Sequence, residues 1–302
     1  MSERTGKHSG VAVGVDVGGT KTHWRAAGEE GLVADRVVPS DLGADMDDLA
    51  EWLVSDLREW GVPYDALGVG AHGCDSASLC LRLRDLLSAA LAVPVRVVND
   101  AHLLPYAAGV PGAIGVIAGT GSVAAGTGPG GEPLLAGGWG WALGDEGSAA
   151  GLVREAVRAT CLRHDAGLPP DELARGLLAA FHTDEVPGLS HALTRSPSAE
   201  EWGRHAPVVF RAAQRGSVVA LKVIEEGGQA LAKLVETLIS RGASATAVVA
   251  AGGVLTTQPR LFTALADALG KSHPDLPVTL LDADPVDGAV RLAQELLTTS
   301  RA

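Results

Sequence analysis

Short apolar runs and helical repeats alternate along the first third of the chain. Residues 11–24 hold two apolar runs separated by Gly18 and Gly19, which is typical of a β-hairpin. Residues 31–38 alternate as a third strand, and the apolar residues of 44–60 recur at helical spacing. The next predicted elements are a strand at 67–71, a helix at 78–91, a strand at 93–98 and a helix at 101–108. The order is therefore three strands, then helix, strand, helix, strand, helix.

The same order begins again near residue 113. Predicted elements are strands at 113–118, 123–126 and 133–136, a strand and glycine turn at 247–253, a helix at 259–269, a strand at 278–282 and a helix at 285–297. The intervening residues 147–242 are mostly helical, with Pro187 and Ser196-Pro197 marking loops. The repeat predicts an α/β protein of two similar domains, 1–111 and 112–302. It also predicts a helical insert at about 147–242 and a ligand cleft between the domains.

Composition excludes several classes of protein. Of 302 residues, 46% are hydrophobic and 20% charged, which excludes wholesale disorder. The formal net charge of −12 argues against a nucleic-acid partner, since phosphate binding needs a basic face. The first nine residues contain no apolar h-region, and no later stretch is an uninterrupted apolar run of membrane-spanning length, so we expect a soluble cytoplasmic protein. Cys74, Cys80 and Cys161 lack disulfide or zinc spacing and are expected to be reduced packing residues.

Two glycine turns in corresponding positions are candidates for binding phosphate. In Gly18-Gly19-Thr20 the glycines can adopt positive φ and open the backbone N–H groups to an anion, with the Thr20 hydroxyl beside them. Asp16, at the mouth of this turn, can hold a hydrated divalent cation. Gly119-Thr120-Gly121-Ser122 is the matching turn of the second half. Either turn alone could be purely structural, with Asp16 as a cap, but the pair favours phosphoryl transfer.

Asp100 and the glycine-rich segment 137–148 are the other candidates for chemistry. Asp100 follows a predicted strand at the sheet edge where α/β proteins bind ligands, so it is either a general base or a helix cap. Trp139 offers a flat apolar face and Asp145 a carboxylate, as a sugar site would. The alternative is that the tryptophans are core and Asp145 opens a helix. The pair Gly252-Gly253 would let a nucleoside approach the backbone, or only make a turn.

Together these motifs resemble the N-acetylglucosamine kinase and BadF/BadG/BcrA/BcrD ATPase family of the actin, hexokinase and Hsp70 superfamily. The similarity spans nearly the whole chain and is carried by residues 14–22, 98–101, 119–122, 138–148, 251–253 and 285–289. It implies two ribonuclease-H-like (actin-like ATPase) domains that close on ATP, Mg²⁺ and an amino sugar, often as a homodimer.

The resemblance also implies residue roles. Asp16 would position Mg²⁺ through water, and Asp100 would be the general base for the sugar 6-hydroxyl. The phosphate-binding set would be Gly18, Gly19, Thr20, Lys21, Gly119, Thr120, Gly121 and Ser122, with Gly252 and Gly253 beside the nucleoside. The sugar site would be lined by Asp41, Asn99, Asp100, Gly138, Trp139, Gly140 and Asp145.

Asp41 marks a departure from the family pattern. Family members carry a Ser/Thr-Asn pair after the third strand, whose Asn binds the sugar, and the corresponding region here contains Ser40-Asp41. A carboxylate accepts hydrogen bonds but does not donate as an amide does. Asp41 therefore suits a cationic amino sugar, and glucosamine stands beside N-acetylglucosamine as a candidate substrate.

Two other functions compete with a kinase. The first is an ATPase that activates a partner reductase, as BcrA-like relatives do with an iron–sulfur cluster, but the three cysteines do not match such an arrangement. The second is a non-catalytic sugar sensor, against which the retention of Asp16 and Asp100 argues.

Overall fold

The computed structural model describes residues 10–195 and 198–299. The strands are β1 Ala12–Val17, β2 Lys21–Gly28, β3 Gly31–Pro39, β4 Ala66–Ala71, β5 Val95–Asn99, β6 Ile114–Ala118, β7 Ser122–Thr127, β8 Pro133–Gly137, β9 Val248–Ala251 and β10 Val278–Leu280. The helices are α1 Met46–Trp60, α2 Ala77–Leu91, α3 Leu103–Ala108, α4 Ala149–Asp165, α5 Glu172–Ala180, α6 Val186–Arg195, α7 Ala199–Gly203, α8 Ala206–Gln214, α9 Val218–Ser240, α10 Gly253–Thr257, α11 Pro259–Ser272 and α12 Pro285–Thr299. A 3₁₀ turn, Asp100–His102, precedes α3.

The chain forms two compact units, each with its own five-stranded sheet. The first runs to Pro111 and includes the segment from Leu281 onward, and the second is Gly112–Leu280. The two strand orders are β3-β2-β1-β4-β5 and β10-β9-β6-β7-β8. Each sheet therefore combines an antiparallel meander with parallel strands, and the predicted α/β fold with a repeated element order is confirmed.

Alternation along β1 explains how the first unit is layered. Val13, Val15 and Val17 are buried in a cluster that contains the apolar faces of α1 and α2. Ala12 instead joins a second cluster with residues of α12. Because successive side chains of a strand point to opposite faces, the sheet is covered by α1 and α2 on one side and by α12 on the other.

Glycines in the sheet let α12 approach the backbone closely. A methyl group at Gly14 would overlap the backbone of Val290, and one at Gly68 would overlap the carbonyl oxygen of Ala289. The repeated order of elements predicts residues 281–302 in the second domain, whereas the segment from Leu281 onward belongs to the first unit. The order of elements alone could not show this, because the helix crosses back to pack on β1 and β4.

The second unit carries the helical insert that the periodicity predicted. Helices α4 to α9 span residues 149–240 and share one apolar core with β6, β7 and β9. Pro187, predicted to mark a loop, lies in the first turn of α6 instead. This position tolerates proline because its missing N–H would have no helical partner. The other predicted loop, Ser196-Pro197, lies outside the described residues.

No helix among residues 10–195 and 198–299 is both long and apolar enough to cross a membrane.

Candidate active site

The carboxyl ends of three parallel strands bring the acidic candidates of the first unit to one edge of its sheet. Strand β4 pairs in parallel with both β1 and β5. Asp16 is in register with Gly70, and Ala71 with Asn99, the residue before Asp100. Asp16 and Asp100 therefore lie at the edge where open α/β sheets bind ligands.

Both carboxyl groups have raised pKa values, and the charge of Asp100 contributes to the shift of Asp16. Burial and the neighbouring charges of Asp100 and Asp284 raise the pKa of Asp16 to about 7, against the lowering effect of Lys21. Burial also raises the pKa of Asp100, while the charge of His72 and the N–H of Ala101 act in the opposite direction. Acids whose ionised forms are destabilised in this way are common in functional sites.

The donor set around Asp16 fits a hydrated Mg²⁺ ion. Among the described residues no group of three or more His, Cys, Asp or Glu side chains is arranged to hold a metal by itself. Mg²⁺ commonly keeps several waters and takes only one or two protein carboxylates. A cation at Asp16 would also offset the repulsion from Asp100 and Asp284.

Asp100 and Asn99 are both buried, and their side chains make hydrogen bonds within the fold. The Asn99 side chain and Asp100 Oδ1 each accept a hydrogen bond from the N–H of Ala101, at 3.0 Å. The amide of Asn99 donates to Asp75 Oδ1 at 3.1 Å. The N-cap of the 3₁₀ turn is Asn99 and Asp100 is its first residue, so the cap predicted for Asp100 is supplied by the preceding residue. Asp100 Oδ2 makes no hydrogen bond to Ala101. The sugar contact predicted for Asn99 stays a prediction.

The first glycine turn closes the β1–β2 hairpin. Gly18 N–H donates to the carbonyl of Lys21 at 3.0 Å, and Gly19, Thr20 and Lys21 are exposed. Neither Gly18 nor Gly19 has a positive φ, so the expected left-handed turn conformation is wrong here. A side chain at Gly19 would meet nothing within 4 Å. The turn is therefore open to a ligand because of its exposure.

Ser40 fastens the Asp41 segment to this hairpin. Its N–H donates to the Thr20 carbonyl at 3.2 Å, and its hydroxyl donates to the Gly18 carbonyl at 2.8 Å. Asp41 is exposed, and its Oδ1 accepts the N–H of Gly43 at 3.2 Å. Asp41 therefore follows a residue that is fixed against the phosphate-binding candidates.

In the second unit, Gly119-Thr120-Gly121-Ser122 joins β6 to β7 as a tight turn. Gly119 N–H donates to the Gly121 carbonyl at 2.9 Å, and the Gly119 carbonyl accepts the first N–H of α4, from Ala149, at 2.8 Å. Thr120 is half-buried. The buried Ser122 hydroxyl donates to the Glu146 carbonyl at 2.9 Å, so this side chain secures the neighbouring loop.

Asp145 and Gly253, two further candidates from the sequence, lie against this turn. A methyl group at Gly121 would come within 2.9 Å of Asp145 Oδ2, and one at Gly119 within 3.8 Å of the Gly253 nitrogen. Gly252 has a φ of +100°, and a side chain there would overlap the Ala118 carbonyl. The parallel pairing of β6 with β9 explains why these segments, distant in sequence, meet at one sheet edge.

One tryptophan of the glycine-rich segment is exposed, and the other is partly buried. Gly137, Gly138 and Gly140 all have positive φ, and Trp139 between them is 76% exposed. Trp141 packs on Trp202 with ring centroids 4.7 Å apart. The sequence left open whether the tryptophans were core or ligand-facing, and the structure gives one of each environment.

Asp145 is held in an uncommon backbone conformation. Its φ is +57°, a left-handed value unusual for a residue with a side chain, and only 7% of its surface is exposed. Its carbonyl accepts the N–H of Ser148 at 3.0 Å, while the Ser148 side chain caps α4. Helix capping is thus performed by Ser148, and the carboxylate of Asp145 lies beside the Gly121 turn.

Arg154 is a residue that sequence reasoning missed. From the second turn of α4 its Nη1 donates to the carbonyl oxygens of Trp141 and, at 2.6 Å, Gly144. Its guanidinium also lies 3.6 Å from Glu146. Arg154 therefore holds the glycine-rich loop in place through these hydrogen bonds. An arginine on an amphipathic helix gives no sequence signal for such a role.

Comparison with known proteins finds relatives that match most of the chain. The model of the BadF/BadG/BcrA/BcrD ATPase family matches residues 92–290. An N-acetylmuramic acid/N-acetylglucosamine kinase of Clostridium acetobutylicum is 26% identical, over 93% of this chain and 97% of its own. An N-acetyl-D-glucosamine kinase of Dictyostelium discoideum is 24% identical, over 94% of this chain and 97% of its own.

Solved structures share the fold. A Chromobacterium violaceum protein proposed to be an N-acetylglucosamine kinase superposes with a TM-score of 0.72 at 24% identity, over 95% of this chain and 99% of its own. A ROK family glucokinase of Streptomyces griseus, solved with glucose and AMPPNP, gives 0.59 at 19% identity, over 95% and 99%. The fold is thus that of two-domain sugar kinases. The chain itself belongs to the BadF/BadG/BcrA/BcrD ATPase family.

Proposed function

We propose that this protein transfers the γ-phosphoryl group of ATP to the 6-hydroxyl of an amino sugar. The observation that carries the proposal is the pair of electrostatically coupled carboxylates, Asp16 and Asp100, at the carboxyl edge of one sheet. Phosphoryl transfer needs a cation to offset phosphate charge and an acceptor for the hydroxyl proton. One of the two carboxylates is assigned to each of these tasks.

Asp100 is the proposed general base. It accepts the proton of the attacking hydroxyl while the oxygen forms its bond to the γ-phosphorus, and ADP leaves. The N–H of Ala101 holds Oδ1 at 3.0 Å, which fixes the orientation of the carboxylate. A positioned general base contributes roughly 10²–10⁴-fold to the rate.

Asp16 is the proposed Mg²⁺ residue, acting through water, and the bound ion would neutralise phosphate charge. Backbone N–H groups of the two glycine turns, with Thr20, Lys21 and Thr120, bind the phosphates. Gly252 and Gly253 are proposed to lie beside the nucleoside. A Cβ at Gly253 would meet nothing within 4 Å, which leaves room for a ligand, whereas the space beside Gly252 is filled by the Ala118 backbone. These assignments follow the family membership of the chain and the exposure of the first turn.

The sugar is proposed to contact Asn99, Gly138, Trp139, Gly140 and Asp145, besides Asp100. The exposed indole of Trp139 offers an apolar face for a sugar ring, and Asp145 accepts hydrogen bonds from hydroxyl groups. The names of the Clostridium and Dictyostelium relatives support a hexosamine derivative as the acceptor.

Asp41 makes a free amino group the preferred substituent of that sugar. A carboxylate attracts an ammonium group, whereas it offers no donor to an N-acetyl carbonyl. The substitution Asp41→Asn should move preference from glucosamine towards N-acetylglucosamine. If the ratio of kcat/KM for the two sugars does not change, Asp41 does not select the substrate.

ADP release from ATP and Mg²⁺ tests the proposal. The panel comprises no sugar, glucose, glucosamine, N-acetylglucosamine and N-acetylmannosamine. Strong stimulation by an amino sugar is expected. Hydrolysis that is indifferent to every sugar would contradict the kinase and favour an ATPase that acts on a partner protein.

A further inference from the structure

Cys74 and Cys80 lie against each other at the start of α2. The thiol of Cys80 donates to the carbonyl oxygen of Cys74 at 3.5 Å, and the two thiols are hydrogen-bonded to each other. Both side chains belong to the core that covers one face of the first sheet. Cys74 is fully buried, whereas Cys80 is half-buried. The pair therefore has one protected thiol and one that a small reagent can reach.

A turn and a helix cap bring the two cysteines into contact across six positions of sequence. The Cys74 N–H donates to the Ala71 carbonyl at 3.2 Å, and Gly73 has a φ of +81°, so the chain turns directly after β4. Ser76 then caps α2, and its carbonyl accepts the Cys80 N–H at 3.1 Å. Both side chains extend from fixed backbone positions. Because the sulfur atoms are already neighbours, side-chain rotation can bring them to bonding distance.

The two cysteines differ in reactivity in a complementary way. The hydrogen bond from the Cys74 thiol lowers the pKa of Cys80, although burial acts in the opposite direction. The hydrogen bond with Cys80 and burial together raise the pKa of Cys74. Thiol–disulfide exchange begins with a thiolate that the reagent can reach. Cys80 is therefore the expected first nucleophile, and Cys74 is the expected second thiol.

We propose that Cys74 and Cys80 are a redox modification site, which a small disulfide such as oxidised glutathione converts to an intramolecular disulfide. The Cys80 thiolate attacks one sulfur of the reagent, so that a mixed disulfide forms and one glutathione thiolate leaves. The Cys74 thiol then gives its proton to that thiolate, and its sulfur attacks the Cys80 sulfur and releases the second glutathione. The protein loses two electrons and two protons, and the reagent becomes two thiols.

A chain of hydrogen bonds connects this pair with the turn that carries the proposed base. Asp75, next to Cys74, accepts the Asn99 amide at 3.1 Å, and Asn99 Oδ1 accepts the N–H of Ala101 at 3.0 Å. A disulfide closed beside Asp75 is expected to disturb these bonds and thereby the position of Asp100. This consequence for turnover rests on the proposed kinase function, whereas the oxidation itself does not.

Mass spectrometry of the full chain after incubation with oxidised glutathione tests the chemistry. The reaction is quenched with acid, and the protein is unfolded and alkylated so that every free thiol gains a label. Both cysteines lie on the tryptic peptide 59–82. This peptide should lose two hydrogen atoms and gain no label. Dithiothreitol before alkylation should restore both labels.

Single substitutions test the order of the two steps. Cys74→Ala should stop at the mixed disulfide, with glutathione retained on Cys80. Cys80→Ser should leave Cys74 free, because Cys74 is buried. The matched control is Cys161→Ser, which removes the half-buried cysteine of α4 in the second unit and should leave oxidation of peptide 59–82 unchanged.

The inference is overturned if the wild-type peptide 59–82 keeps both labels or retains glutathione. Glutathione bound to Cys74 in Cys80→Ser would overturn the order of the steps. Failure of Cys161→Ser to form the disulfide would show that a different pair of cysteines reacts.

ADP release separates this inference from the proposed function. With the sugar that stimulates the reduced protein most, the oxidised wild type should turn over several-fold more slowly, and dithiothreitol should restore the rate. Cys80→Ser treated in the same way should keep its rate. If the disulfide forms without a change in rate, the modification site stands and its effect on turnover fails. If no sugar stimulates either form, the kinase proposal fails, and the peptide masses still decide the modification site.

Discussion

Asp100 combines a hydrogen bond that orders its own turn with a proposed role in the chemistry. Sequence alone gives two interpretations, a cap and a base, because aspartate before a helix is suited to both. The structure gives the cap to Asn99, and it places Asp100 at the same sheet edge as Asp16, with Oδ1 accepting the N–H of Ala101. The burial that distinguishes Asp100 from an ordinary surface cap depends on packing, which a local pattern does not reveal.

Asp100→Asn should abolish most sugar-dependent turnover while ATP binding is largely kept. The amide retains an oxygen for the N–H of Ala101 but cannot accept the hydroxyl proton, so kcat should fall by about 10² or more. Steady-state kinetics and nucleotide titration calorimetry measure the two effects. Asp45→Asn, at the N-cap of α1, is the control and should leave kcat unchanged. Loss of nucleotide binding in Asp100→Asn would make the residue structural.

Arg154→Met should loosen the segment that carries Trp139 and Asp145. The change removes the hydrogen bonds to the carbonyls of Trp141 and Gly144, and we expect KM for the sugar to rise several-fold more than KM for ATP. Arg158→Met, one turn further along α4, removes only an exposed pair with Glu155 and should change neither KM. Equal effects of Arg154→Met on both KM values would show that the loop is not part of the sugar site.

At the level of elements, periodicity predicts most helices and strands. Which sheet each helix packs on depends on details of packing that periodicity does not show. The helix at the C-terminal end was predicted at 285–297 and observed at Pro285–Thr299. Its place on the first sheet depends on Gly14 and Gly68, whose missing side chains make room for its backbone. Glycines within strands indicate close approach in general, without naming the element that approaches.

Gly68→Ala should therefore destabilise the protein. The added methyl group would overlap the Ala289 carbonyl, and overpacking of this kind costs about 1–3 kcal/mol of unfolding free energy. The urea midpoint reports the change. Gly270→Ala, in α11 with nothing within 4 Å of the new methyl group, should keep or raise the midpoint. An unchanged midpoint for Gly68→Ala would contradict close packing of α12 on β4.

Arg25 connects β2, β3 and the start of α12 through three carboxylates. Its guanidinium lies 2.7 Å from Asp35, 2.8 Å from Asp284 and 2.6 Å from Asp287. Although burial by itself acts in the opposite direction, hydrogen bonds from Arg25 and His23 hold the pKa of Asp35 below its ordinary value. A carboxylate with a lowered folded-state pKa stabilises the fold above its unfolded pKa, and that stabilisation disappears as pH falls through the folded value.

Arg25→Met should accordingly lower stability at neutral pH, and the difference from wild type should shrink only below about pH 4. Urea unfolding at several pH values measures this. Arg84→Met, which breaks an exposed pair with the adjacent Asp85, should cost little at any pH. A difference that stays constant down to pH 3 would show that the loss is one of packing and not of ion pairs.

At the scale of the whole molecule, the repeated order of strands and helices predicted two similar five-stranded units and the insert in the second. The order could not assign the last helix to the first unit, nor show that Trp139 is exposed while Trp141 packs on Trp202. A glycine-rich sequence predicts a loop but not which of its side chains are exposed, because glycines allow many backbone conformations. Arg154 was missed because its role depends on neighbours that only the fold brings together.

We propose above that the protein transfers phosphate from ATP to the 6-hydroxyl of an amino sugar, with Asp100 as base. Phosphorus–proton correlation NMR of the product of a reaction with ATP, Mg²⁺ and glucosamine or N-acetylglucosamine tests it most directly. We predict a new phosphate ester coupled to the two protons on C6, absent with Asp100→Asn. A phosphate coupled to another ring position, or ATP consumed with only inorganic phosphate formed, would contradict the account.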